Sequence, residues 1–127
     1  MKQVVLVGIG GCLGAIARYK LGGFILHHSI DWRFPLGTFS VNVLGCLAAG
    51  VLAGVVERLG MFSADARVFL FAGVLGGFTT FSAFSVETVF LIRRGEAAVA
   101  LGYVTLSVAC SVAALWLGLI AIPRPPS

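Results

Sequence analysis

Charge is scarce in this sequence. Of its 127 residues only 11% are Asp, Glu, Lys or Arg, and only five of those are acids. A soluble domain carries about 25% charged residues. With 59% apolar residues and a mean hydropathy of +1.05, so short a chain cannot bury its apolar surface in water. A soluble domain is excluded, and a single integral membrane domain over residues 1–127 is expected. The net charge is +4, yet no basic run exists and no aromatic residues interleave with the basic ones. Nucleic-acid binding is therefore not expected.

Other absences narrow the field further. The three cysteines, Cys12, Cys46 and Cys110, are odd in number and lie singly inside apolar stretches. That excludes a disulfide framework or a zinc site and leaves them as small packing residues. Lys2, the apolar run after it and Ala15-Ile16-Ala17 imitate a signal peptide, but the run is studded with glycine and apolar sequence resumes beyond Lys20, so cleavage is not expected. Gly8, Gly10, Gly11 and Gly14 miss the dinucleotide fingerprint by one residue and follow no strand. His27 and His28 have no further ligands near them. No nucleophile, base and orienting group can be assembled, so the chain does not read as an enzyme.

What is present is hydrophobic length. Four apolar spans are each near the ~20 residues that cross a bilayer. They run from about Val4 to Leu26, Leu36 to Val56, Val68 to Ile92 and Ala97 to Ile122. The connections are short, and the tail from Pro123 cannot continue a helix. An all-α membrane fold with four transmembrane helices follows, with both termini on one side. Lys2, Arg58, Arg67 and Arg124 lie on that side. Lys20, Arg33, Arg93 and Arg94 lie on the other, with Arg18 deeper. The positive-inside rule therefore gives almost no orientation. A balanced chain is expected to insert both ways and to pair as an antiparallel dual-topology dimer. Small residues four apart, at Gly10 and Gly14, Gly50 and Gly54, and Gly73 and Gly77, predict closely packed helices.

The polar residues inside the spans are few. Thr38 and Asn42 share a face of the second span, and Ser107 and Ser111 share a face of the fourth. The third span carries Thr79, Thr80, Ser82, Ser85, Glu87 and Thr88. A lone hydroxyl in such a span usually bonds back to its own helix. An amide such as Asn42 has donors and an acceptor to satisfy. The set offers hydroxyl and amide donors with one acid, Glu87, toward a span end. It suits an uncharged or anionic permeant better than a cation, which would call for acidic rings. Phe81 and Phe84 stand three apart on one helical face. They are either apolar bulk or rings whose positive edges face an anion. Gly76 and Gly77 ahead of Thr79 and Thr80 suggest a break near the middle of the third span, the alternative being a continuous glycine-packed helix. Arg18 either snorkels to the interface or feeds an anion into a vestibule.

Three runs carry a family resemblance: Gly14-Ala-Ile-Ala-Arg18-Tyr19, Gly37-Thr38-Phe-Ser-Val-Asn42-Val-Leu-Gly45 and Gly73-Val-Leu-Gly-Gly-Phe-Thr-Thr-Phe-Ser-Ala-Phe-Ser-Val-Glu87. Together they resemble the Fluc (CrcB) fluoride channel family, and the likeness extends over essentially the whole chain. The resemblance implies a multi-pass channel of the bacterial inner membrane that exports fluoride passively. It implies an antiparallel homodimer with two pores, each lined by both subunits. It implies that Phe81 and Phe84 face the ion, that Asn42, Ser107 and Ser111 line the pore, and that Thr38 and Ser82 lie on the same track. Arg18 would sit at a vestibule and Glu87 near a pore mouth. Main-chain carbonyls of Gly76 and Thr79 from both subunits would hold a structural Na+ at the dimer centre. A small dual-topology multidrug-type transporter shares the size and charge balance. Such transporters rely on an acid in the first span, and this first span has none.

Overall fold

Four helical passes of the predicted length form in a computed structural model that describes residues 1–127. They comprise Lys2–His28, Leu36–Leu59, the interrupted stretch Ala64–Arg93, and Ala97–Ala121. The architecture is all-helical, with the two termini at one end of the bundle. Only 15 of the 127 residues are buried, so most apolar side chains point outward. Water would penalise that surface, whereas hydrocarbon does not.

The passes pair in two sets. The second helix packs along the fourth, and the first packs along the opening half of the third pass. Small residues permit both pairings. A Cβ on Gly10 would lie 2.7 Å from the Phe69 carbonyl oxygen and 2.9 Å from Gly73 Cα. Gly50 presses against the Leu115 backbone in the same way. Such backbone approach replaces the hydrophobic driving force that helices lack in lipid. Polar ties secure the terminal end. Lys2 pairs with Asp65 at 2.5 Å. Arg58 donates to the carbonyls of Ile120 and Ile122, where the last turn of the fourth helix leaves acceptors unpaired.

The third pass departs from a regular helix twice. Its opening half consists of Ala64–Arg67, a π-helical stretch Val68–Leu75 and a last turn Gly76–Phe78. Thr79 and Thr80 are then extended, with φ −80°, ψ 156° and φ −150°, ψ 115°. The helix resumes over Phe81–Arg93. The break lies beyond the expected glycines, not at them. Gly76 keeps helical angles, φ −62° and ψ −36°. Gly77 is needed for contact, since a Cβ there would lie 2.9 Å from Gly11 Cα. Glycine permits a break; here it permits packing instead. What opens the chain at Thr79–Thr80 comes from another helix.

Candidate functional site: a donor-lined cavity at the helix break

Asn42 of the second helix holds the break open. Its Nδ2 donates to the Thr80 carbonyl at 3.0 Å, and its Oδ1 accepts from the Thr80 N–H at 2.8 Å. Both backbone groups of one extended residue are thereby satisfied by a side chain 38 residues away in sequence. The Thr80 hydroxyl accepts from the Ala83 N–H at 3.2 Å and caps the resumed helix. These substitutions free two acceptors. In an unbroken helix the Gly76 carbonyl would take the Thr80 N–H, and the Thr79 carbonyl would take the Ala83 N–H. Both donors are turned elsewhere.

Beside the break lies a cavity of about 350 Å³, lined by Asn42, Phe81, Phe84, Ser107 and Ser111 among others. Two of its polar side chains, Asn42 and Ser107, have donor capacity to spare. An asparagine amide has two N–H groups, and Asn42 uses one on Thr80. Ser107 is 7% exposed and its hydroxyl has no partner, an arrangement that costs free energy unless something is bound. The Phe81 and Phe84 ring centroids lie 5.4 Å apart. Phe84 also packs at 5.2 Å against the fully buried Tyr103, while Phe81 is 78% exposed. No charged side chain lines this cavity.

A second cavity of about 320 Å³ meets the first at Thr80 and contains Arg18, Thr38 and Glu87. Arg18 Nε donates to the Gly77 carbonyl at 3.1 Å, setting a cation against the negative end of the interrupted helix. Glu87 accepts from the Thr38 hydroxyl and the Tyr103 hydroxyl, at 2.6 Å each. Both carboxylate oxygens are therefore engaged within the chain. Thr79, Ser85 and Thr88 donate to the carbonyls of Leu75, Phe81 and Phe84, each four residues back.

Comparison with known proteins fits this geometry. The family profile described as CrcB-like protein, Camphor Resistance (CrcB), matches residues 5–119. The chain belongs to the CrcB family. Relatives named fluoride-specific ion channel FluC include one from Methylobacillus flagellatus, 50% identical over 118 residues, which covers 93% of this chain and 92% of that protein. One from Paracoccus denitrificans is 51% identical over 120 residues, 94% of each chain. One from Rhodospirillum centenum is 45% identical over 122 residues, 96% of each. These CrcB relatives bear the name of a channel and not of an enzyme.

In this CrcB chain, the residues singled out by sequence fall into separate groups. Asn42, Phe81, Phe84, Ser107 and Ser111 converge on one cavity. Thr38, Arg18 and Glu87 share the neighbouring one. Ser82 lines neither and is exposed, its hydroxyl 3.3 Å from that of Thr80. Arg18 reaches the helix break and does not snorkel outward. Three contributions escaped sequence reasoning. Tyr103 binds Glu87 from within the fourth span; a tyrosine at that depth requires a partner for its hydroxyl, which was the available signal. Thr80 acts as cap and clamp point. Cys46, expected only to pack, lines the cavity one turn from Asn42. The spacing of four already set Cys46 on the Asn42 face.

Proposed function

We propose that the protein is a fluoride-selective channel that lets the anion leave the bacterial cytoplasm down its gradient. The observation that carries this reading is the cavity where a spare Asn42 N–H, an unpartnered Ser107 hydroxyl and two phenylalanine rings meet without a fixed charge. Fluoride is small and strongly hydrated, so its water must be replaced by donors at each step. Hydroxyl, amide and ring-edge donors do this without the deep well that a lysine or arginine would create. The names of the relatives support the same ion.

The functional unit is an antiparallel homodimer in the inner membrane, with two pores lined by both subunits. Exposure of Phe81 supports this, because one copy leaves that ring uncovered. The near-balance of basic residues on the two sides supports insertion in both orientations. The freed carbonyls of Gly76 and Thr79 suit a structural Na+, which prefers oxygen ligands and finds them at helix interruptions. No group of acidic, histidine or cysteine side chains competes for that role. Two carbonyls from each copy would hold the ion at the dimer centre, where it would cancel the clustered carbonyl dipoles.

Anion efflux from liposomes containing the purified protein tests the function. Fast fluoride release with negligible chloride release is the expected outcome. Well-folded protein that releases no fluoride would overturn it. Labelling of single cysteines in the two connections at opposite ends tests the assembly. Each site should react from both sides of the membrane, and reaction from one side alone would refute dual topology.

A further inference from the structure

A third cavity, of about 210 Å³, lies at the end of the bundle where the third pass finishes. Trp32, Phe34 and Phe90 contribute to its wall, and its charged residues are Arg33, Arg94 and Glu87. Glu87 is the only polar residue this cavity shares with the one containing Arg18 and Thr38, and Thr80 is the residue that cavity shares with the donor-lined one. The three cavities are thus strung along the resumed helix through Thr80 and then Glu87. The outermost one ends at two guanidinium groups.

Those groups are unspent. Arg33 makes no hydrogen bond or ion pair within the chain. Arg94 only approaches Glu96, with its Nε 3.9 Å from Oε1, beyond hydrogen-bond reach. The single acid of the cavity, Glu87, already has both oxygens engaged by Thr38 and Tyr103. Each guanidinium carries five N–H donors. Arg94 is 63% exposed in its side chain, so an anion held there keeps part of its water and exchanges quickly. Two cations on low-dielectric walls raise the local concentration of anions and speed their capture. This differs from the donor-lined cavity, where an unhydrated ion meets neutral donors only.

We propose that this cavity is an outer anion site, in which Arg33 and Arg94 gather the small inorganic anion that the narrow path carries. The inference rests on the channel reading above. Capture by exposed charges depends on ionic strength, because the screening length falls from about 30 Å at 0.01 M to about 3 Å at 1 M. A contribution to folding or to the geometry of the path has no such dependence.

The test is fluoride efflux from liposomes of uncharged phosphatidylcholine, with potassium isethionate setting the ionic strength at about 0.01 M or about 1 M. At low ionic strength the Arg33→Gln/Arg94→Gln protein should release fluoride about fivefold more slowly than the unaltered protein, and at high ionic strength the two should match. Arg33→Lys/Arg94→Lys should retain the original profile. Arg67→Gln/Arg124→Gln, which also removes two positive charges but from the opposite end of the chain's helices, should behave as the original at both strengths. Equal rates at low ionic strength would overturn the proposal. So would a deficit of the same size at both strengths, or a lysine pair that behaves like the glutamine pair. If the unaltered protein releases fluoride and the profile is flat, only the outer site falls. If it releases none, the channel reading falls with it.

Discussion

The two halves of the third pass lie on either side of two extended residues and do different work. The opening half, through Phe78, has no hydroxyl or amide side chain from Val68 onward and lies against the first helix through glycine contacts. The resumed half, Phe81–Arg93, carries Phe81, Phe84 and Glu87, meets the fourth helix and borders all three cavities. One half is fixed by how closely backbones approach. The other presents side chains. A continuous helix would force one register on both tasks, since each residue turns the face by a fixed angle. Two extended residues remove that coupling, and Asn42 satisfies both backbone groups of the second, Thr80.

The largest effects should come from disturbing what fixes the opening half. Gly10→Val would drive side-chain atoms into the Phe69 carbonyl and Gly73 Cα, both of which are backbone and cannot swing aside. Overpacking typically costs about 1–3 kcal/mol even where side chains can adjust. Little folded protein should elute on size-exclusion chromatography in detergent, and a normal yield would mean that the two helices separate without penalty. Next comes the clamp. Asn42→Asp keeps the acceptor for the Thr80 N–H but loses the donor to the Thr80 carbonyl, and it sets a negative charge on the cavity wall. Fluoride efflux should fall about a hundredfold from repulsion in a poorly screened site. Near-normal efflux would argue that the ion does not pass Asn42.

Much of this division was legible in the sequence, and the part that was not has a physical cause. Span positions follow from hydropathy, because lipid imposes length on each helix separately; Leu36 and Ala97 begin their helices where expected. The face shared by Ser107 and Ser111 follows from helical periodicity. The break falls near the middle of the third pass, as expected, but the residue that fixes it at Thr79–Thr80 is not local. Gly76 and Gly77 mark where a helix is allowed to open, while hydrogen bonds from Asn42 decide where it does. The π-helical turn of Val68–Leu75 has no local polar signal at all. The sequence set Glu87 toward one end of its span, and its partners there, Thr38 and Tyr103, come from two other helices. Contacts between helices are what a one-dimensional pattern leaves out.

A smaller loss should follow from changing a ring of the resumed half. Phe84→Ile keeps apolar bulk but removes the ring edge, along with the stacking on Phe81 and Tyr103. Efflux of fluoride should drop about two- to twelvefold, with the folded species unchanged on the sizing column, if the ring edge contributes the ~0.5–1.5 kcal/mol that ring pairs add beyond buried area. Unaltered efflux in both Phe81→Ile and Phe84→Ile would reduce the rings to packing.

The smallest effect is expected one helical turn further on, and it sharpens the comparison most, because it separates polar from conducting. Thr88 lies on the same resumed helix as Phe84, and its hydroxyl donates to the Phe84 carbonyl at 2.7 Å. It borders none of the three cavities. Thr88→Val keeps the shape and deletes only the hydroxyl. The Phe84 carbonyl retains its helical N–H partner, so no acceptor is orphaned, and a back-bonded hydroxyl contributes little to helix stability. Fluoride efflux within about twofold of the unaltered protein is the expected result. A tenfold loss would mean that back-bonded hydroxyls turn toward the ion as it passes. In that case the whole polar face of the resumed half would conduct, and not only the residues whose donors are free at rest.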